Sequence, residues 1–338
     1  MKRLPVTAPP YQYIEKSFKE WLEVLGYSWQ AVYYMPIQIR GLLHHLEKQN
    51  KTDLKDITTE AITNYYYQEL KQRKNYMRDA GALSAKHLNK HLQALRKFTE
   101  YLRQTGKLQI PLLNIRQEEI IDTKPTVLSE EEIQQLYTAT EIIPDKLKHV
   151  RPREFYDWLN MRDRAMLAVF YGCGLRRNEG YHLNITDINL DSAVIHVTKG
   201  KGYKERFVPI SRKGLEHITV YLYDARPMFL KAPSPLEKAG DEADAFFLNH
   251  NGKRLGGQML MLCLQNLAKK AEQMGAEGGH PAIGGKEIGL HTLRHSIATH
   301  LLAHGMNLEK IKDFLGHSSL ESTQIYTHLV NEKDYGQV

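Results

Sequence analysis

The stretch Leu315-Gly-His317-Ser-Ser-Leu-Glu-Ser-Thr-Gln-Ile-Tyr326-Thr-His328 decides how this chain is read. It places a tyrosine nine residues after a histidine. Upstream stands His291-Thr-Leu-Arg294, so that one tyrosine, two histidines and an arginine can meet in a single site. A neutral phenol is a poor nucleophile, and a useful one needs a base beside it and cations to absorb the charge that builds on the centre it attacks. Gly172-Cys-Gly-Leu-Arg176-Arg-Asn-Glu179 and Gly200-Lys201-Gly202-Tyr-Lys204-Glu-Arg206 add a second arginine and a lysine. Arginine suits the task, because a permanently charged guanidinium gives two parallel hydrogen bonds to a phosphate. The set fits attack on a phosphodiester.

Arg176, Lys201, His291, Arg294, His317 and Tyr326 fall in the order and local context of the tyrosine recombinases, the phage integrase family, and the stretch around Tyr326 resembles their bacterial Xer-type members. The resemblance runs from about Thr126 to His328 and is weaker before it. It implies a DNA breaking-rejoining catalytic domain that cuts duplex DNA through a 3′-phosphotyrosine at Tyr326. A homo-tetramer on two DNA sites would then exchange strands through a Holliday junction, without a cofactor and with or without a directionality factor or second recombinase. By the same resemblance Arg176 and Arg294 hold the phosphate, Glu179 orients Arg176 and Lys201 protonates the departing 5′ oxygen. His291 accepts the Tyr326 proton or holds the phosphate, and His317 donates to the phosphate. A type IB topoisomerase, a hairpin resolvase and a non-catalytic DNA-binding protein of the same fold are the alternatives. Cys173 stands where threonine is expected and is not a reacting group. Only twelve residues follow Tyr326, whereas many members extend further and pass a C-terminal helix to the next protomer.

The chain's 338 residues suit two domains, and 42% apolar with 25% charged residues is an ordinary globular composition. The Met-Lys-Arg start lacks a signal peptide's apolar stretch, no run approaches a membrane span, and two cysteines make no disulfide framework, so a cytoplasmic protein with no membrane partner is expected. Residues 1–110 hold 18 Lys or Arg against 10 Asp or Glu, whereas the whole chain carries +7, so the basic excess lies in the N-terminal part. Within it Lys71, Arg73, Lys74, Arg78, Lys86, Lys90, Arg96 and Lys97 read as candidate phosphate contacts, joined downstream by Lys204 and Arg206.

Helical periodicity from Tyr13 to Gly106 predicts a mainly α fold that opens with an all-α domain of four or so helices over 1–110, which the resemblance implies is a SAM-like DNA-binding domain. Thr58 and Thr59 lie in the polar start of its third helix and Ser84 caps the fourth; Tyr65, Tyr66 and Tyr67 read as core rather than base-stacking residues. The period is lost over 111–125, a linker with prolines at both ends. Ser129-Glu-Glu-Glu132 then opens an α+β domain over 126–338 with a small antiparallel sheet, whose hairpin is read from 192–198 and 205–210. Residues 141–160, 226–245 and 275–289 read as surface insertions that contact DNA or neighbouring protomers, or as tolerated loop growth.

His291, His295, His300 and His304 recur at i, i+4, but the two pairs lie on opposite sides of one helix and Thr292 stands where a metalloprotease motif has its glutamate, so no metal site is expected. His295, His300, His304 and His328 read as packing or surface residues. Arg177, about 100° round a helix from Arg176, reads as surface or DNA-facing.

Overall fold

The computed structural model describes residues 4–73, 82–120, 124–143, 150–198, 205–230, 243–278, 283, 285–317 and 319–334. The chain divides into units spanning 1–123 and 124–338. In the first, Pro9 occupies the opening turn of α1 (Pro9–Val24), where a missing N–H leaves no helical bond unmade. Ser28 caps α2 (Trp29–Lys48), Thr58 caps α3 (Thr59–Asn64), which runs on through a wide π-type stretch Tyr65–Leu70, and Ser84 caps α4 (Ala85–Gln104). Each of these hydroxyls accepts a first-turn amide that has no partner within the helix. Tyr11, Ile14, Phe18 and Leu22 of α1, three and four residues apart, meet Ile39, Leu42 and Leu46 of α2 and Leu92, Leu95 and Phe98 of α4 in one core. Tyr65 and Tyr66 are buried in it; Tyr67 is exposed.

Ile110, Leu113 and Ile115 are buried on the same core, and Asn89 pairs with the amide and the carbonyl of Glu118 at 2.8 and 2.9 Å. Up to 118, the segment read as a linker is a strap on the helical unit; the loss of helical period there marks the end of helix and not the end of packing. The strap also engages part of the basic stretch. Arg96 donates to the Ile115 carbonyl at 2.6 Å and Lys71 pairs with Glu118 at 2.9 Å, while Arg73 pairs with Glu69 and Lys97 with Glu100. Lys86 and Lys90 are exposed on successive turns of α4. Lys74 and Arg78 lie outside the described residues.

In the second unit Ser129 and Glu132 form a reciprocal capping box at the start of α5 (Glu130–Ala139). Next come α6 (Arg153–Leu167), prolonged by a π-type stretch Ala168–Gly172, and α7 (Arg177–His182). Strands β1 (Ile188–Asn189), β2 (Val194–Val197) and β3 (Arg206–Pro209) form an antiparallel sheet in that order, with Ile195 opposite Val208 and Val197 opposite Arg206. The two-residue β1, beside the expected hairpin, is too short to show as alternation in the sequence. Beyond it lie α8 (Arg212–Val220), α9 (Arg226–Leu230), α10 (Gly257–Gly278), α11 (Leu290–Ala303), α12 (Leu308–Leu315) and α13 (Glu321–Asp334). Leu167, Val169, Phe170, Ile195, Val208, Phe246, Leu264 and Leu293 share its main core. No helix among the described residues is long and apolar enough to cross a membrane.

The described parts of the three supposed insertions are largely framework. Residues 153–160 are the first turns of α6, with Tyr156 buried and Trp158 and Leu159 packed on the core. Charged Arg153, Glu154 and Asp157 hid that amphipathic face from the sequence reading. Buried Arg226 donates to the carbonyls of Ala243 and Ala245, and α10 runs into the third stretch, where Ile283 and Ile288 are buried. Residues 144–149, 231–242, 279–282 and 284 lie outside the described residues.

One glycine couples this framework to the site. A Cβ on Gly180 of α7 would lie 2.3 Å from Phe170 Cζ and 2.6 Å from its Cε1, and that ring is fully buried and stacked on Phe247. Gly180→Ala is expected to cost about 1–3 kcal/mol by overpacking, read as a lower urea midpoint at unchanged slope.

Candidate active site

Three arginines converge on one carboxylate. Arg176, the residue before α7, donates from its backbone N–H to Glu179 Oε2 at 2.8 Å and from Nη1 to Oε1 at 2.8 Å, while its Nη2 reaches the Gly316 carbonyl at 2.9 Å. Arg206 meets the same carboxylate with both η nitrogens, at 3.0 and 2.9 Å, and its Nε donates to the Phe314 carbonyl at 3.0 Å. Arg294 on α11 donates to the Gly174 and Leu315 carbonyls at 2.6 Å each and lies 3.9 Å from Glu179. The side chains of Glu179, Arg206 and Arg294 are 7%, 8% and 3% exposed, so this charge sits in a low-dielectric pocket.

The strand pleat explains the position of Arg206. Alternate residues share a face, which sets Arg206 beside buried Val208 and turns Phe207 outward at 69% exposure. Arg206 was expected among the DNA contacts; it is instead an internal tie from β3 to Glu179 and to the end of α12. Gly316, at φ +66°, ends that helix in the left-handed conformation, and a Cβ on it would come within 2.9 Å of the Arg206 side chain.

Burial pushes the Glu179 carboxyl up, but hydrogen bonds and charge from Arg206, then from Arg176, override this and hold it at about 2. A carboxylate depressed in the folded state contributes stability that is full above its ordinary value of 4.5 and is lost as the pH falls toward 2. That contribution is on the order of 3 kcal/mol. Wild type is expected to exceed Glu179→Gln in urea midpoint at neutral pH, with the gap closing between about 4.5 and about 2.

Tyr326 lies on α13, whose approach to α11 buries the ring, at 1% exposure, beside Ala298, Ile311 and Leu315. Its hydroxyl is 3.0 Å from His295 Nδ1, and its ring centroid is 6.4 Å from that of His317. His317 in turn has Nδ1 2.9 Å from Thr323 Oγ1 on the first turn of α13. Burial raises the phenol, while Arg294 and Arg176 pull it down. Burial and then Arg294 lower His317 to about 4; burial and then His291 lower His295 to about 4. His291 is exposed on the first turn of α11 and is lowered by partial desolvation, then by Arg294, Arg177 and Arg176.

Five of the six residues expected in the site, Arg176, His291, Arg294, His317 and Tyr326, thus cluster where the start of α7, α11, the end of α12 and α13 meet, with Glu179 paired to the arginines. Lys201 and Lys204 lie outside the described residues. Among the described residues the Tyr326 hydroxyl shares its hydrogen bond with His295, not with His291. Both face the site at i, i+4, their rings 6.5 Å apart, but His291 stands one turn nearer the open end of the helix. His300 is a packing residue, its Nδ1 2.9 Å from the Tyr171 hydroxyl, and Arg177 is exposed. Cys173 is buried, which pushes its thiol up to about 12 and keeps it inert. Among the described residues no three His, Cys, Asp or Glu side chains converge as metal ligands.

A guanidinium pair fixed on backbone carbonyls stands beside a buried phenol and two imidazoles, a set of groups able to hold an anion. Residues 126–333 match the phage integrase family. The chain is 32% identical over 247 residues to the tyrosine recombinase XerD of Listeria innocua, spanning 73% of this chain and 72% of that protein. It is 35% identical over 245 residues to the tyrosine recombinase XerC of Pelotomaculum thermopropionicum, spanning 72% and 71%. The integrase of transposon Tn1549, solved with transposon right end DNA, shares the fold at TM-score 0.62 and 17% identity, over 96% of this chain and 99% of that one. The chain belongs to the phage integrase family, and within it is similar to the Xer tyrosine recombinases.

Proposed function

We propose that this protein is a site-specific recombinase that cuts and rejoins duplex DNA through a 3′-phosphotyrosine at Tyr326. The observation that carries the reading is the Tyr326 hydroxyl held 3.0 Å from an imidazole and within the field of Arg294 and Arg176. Burial, then the Arg176 guanidinium, disfavour the charge on Arg294 and outweigh the favourable carboxylate of Glu179, so a phosphodiester entering here is bound by cations that lack enough counter-charge of their own. The two guanidiniums stabilise the pentacoordinate phosphorus, His317 and His291 donate to its oxygens, and Lys201 supplies the proton to the 5′ oxygen. The phosphotyrosine keeps the energy of the broken ester, so the free 5′ hydroxyl of a second strand rejoins it without ATP. Exposed Lys86 and Lys90 supply phosphate contacts in the helical unit over 1–110, and 126–338 is the catalytic domain. Four copies on two DNA sites exchange strands in two rounds through a Holliday junction.

The test is to incubate the protein with sheared genomic DNA in chelator, quench in detergent and sequence the DNA that stays attached. Attachment at one recurrent site supports the reading. Scattered attachment points to a topoisomerase, and loss of cleavage in chelator to a metal-dependent nuclease. No attachment, with retained DNA binding, points to a non-catalytic DNA-binding protein.

A further inference from the structure

We propose that Thr323 is a positioning residue of the site: its hydroxyl donates to His317 Nδ1 and so fixes that imidazole as the tautomer whose hydrogen lies on Nε2, the form able to donate to a phosphate without carrying charge. The inference rests on the reading of His317 as a donor to the scissile phosphate. It adds what makes a neutral ring serve as one.

Geometry and the placement of hydrogens carry the assignment. Thr323 is the third residue of α13 and is fully buried, and its Oγ1 stands 2.9 Å from His317 Nδ1. A threonine hydroxyl has one hydrogen to give, and leaving it without an acceptor inside the protein costs about 1–3 kcal/mol. Among the described residues Nδ1 is the atom that Oγ1 pairs with, while the Thr323 amide is engaged separately on the Leu320 carbonyl at 2.8 Å. The hydroxyl therefore donates, and Nδ1 accepts with its lone pair. A neutral imidazole has a single N–H, which is thereby left to Nε2.

The surroundings of the ring make that choice matter. Burial and then the Arg294 guanidinium lower His317 to about 4, so at neutral pH the ring has no second N–H to offer. Its backbone is tied elsewhere: the His317 amide donates to the Lys312 carbonyl at 3.0 Å, and the carbonyls of Leu315 and Gly316 accept from Arg294 and Arg176. Those bonds hold the turn in place but leave the tautomer of the ring open. Thr323 lies three residues before Tyr326, so one face of α13 carries both, and the tyrosine ring stacks on that of His317 with planes 17° apart. Packing of α13 thus delivers the phenol and orients the phosphate donor together.

Two measurements test this. In long-range proton–nitrogen NMR spectra of the histidine-labelled free protein at pH 7, with His317 assigned by its absence in His317→Ala, Nδ1 is expected to resonate as an unprotonated nitrogen and Nε2 as a protonated one. In Thr323→Val, which keeps the branched shape without the hydroxyl, both signals are expected to move toward the average of the two tautomers. A protonated Nδ1 in wild type, or unchanged signals in Thr323→Val, would overturn the proposal. The second measurement is single-turnover cleavage at saturating protein of a duplex carrying the sequence to which wild type attaches. Thr323→Val is expected to cleave roughly 10-fold more slowly at unchanged DNA affinity, less than the loss of about 10²–10³-fold expected from removing a donor outright, and Thr323→Ser to restore most of the rate. Added to His317→Ala, Thr323→Val is expected to cost nothing further, because it acts through the ring. The same 10-fold loss in that background would overturn the proposal by making Thr323 a packing residue. A covalent adduct formed by Tyr326→Phe would instead sink the nucleophile reading and leave the tautomer measured in the free protein as it stands.

Discussion

Tyr326→Phe is expected to bind duplex DNA like the wild type and to form no covalent adduct with it, a loss on the order of 10⁴-fold or more in cleavage. The substitution separates chemistry from architecture. The ring of Tyr326 is packed among Ala298, Ile311 and Leu315, and phenylalanine fills the same volume. What goes is one hydroxyl and its hydrogen bond to His295, worth about 1 kcal/mol. The arginine cluster is held by Glu179 and by the carbonyls of Gly174, Leu315 and Gly316, none of which depends on the hydroxyl, so the arginine wall remains. Gel shift, thermal melting and detergent-quenched attachment on the same preparations check all three statements. An adduct in the variant would remove Tyr326 from its role and direct the search to another hydroxyl of α13.

The same physical rules make some of this site plain in the sequence and hide the rest. Short-range signals were legible: Ser84, Ser129 and Glu132 cap where the spacing predicts, because capping involves residues three apart. The order of Arg176, Arg294, His317 and Tyr326 also pointed to one site. Arg206 was misjudged for a reason that the strand makes clear. A basic residue next to Lys204 reads as surface charge, although its alternation with Val208 and Ile210 placed it on the inner face; only the buried Glu179, contributed by α7, makes that face tolerable for a charge. His295 was hidden differently. Its i, i+4 relation to His291 shows that both share a stripe of α11, but which turn of that stripe meets α13 is set by helix packing across about thirty residues of sequence, and no local pattern encodes it. The charged start of α6 was lost for want of a clean apolar stripe, since Arg153, Glu154 and Asp157 interrupt the face that carries Tyr156, Trp158 and Leu159.

Arg294→Lys is expected to cut single-turnover cleavage by roughly 10²–10³-fold, even though the substitution nominally keeps the charge. Two effects act in the same direction. The planar guanidinium of Arg294 already spends one N–H of each η nitrogen on the carbonyls of Gly174 and Leu315, which leaves parallel donors for a phosphate; an ammonium has three donors on one atom and cannot span both carbonyls and an anion at once. A carbonyl abandoned beside a side chain only 3% exposed costs about 1–3 kcal/mol and loosens the turn before His317. The second effect is on the charge itself. Burial, then the Arg176 guanidinium, already press against a positive group at this position, and a lysine, which loses its proton far more readily than arginine, becomes partly neutral there. Raising salt weakens exposed DNA contacts in wild type and variant alike, whereas the cleavage defect, measured at saturating protein, stays. If the variant cleaves at the wild-type rate, the phosphate is not held by the guanidinium fork, and Arg294 is a structural tie between the Gly174 turn and the end of α12.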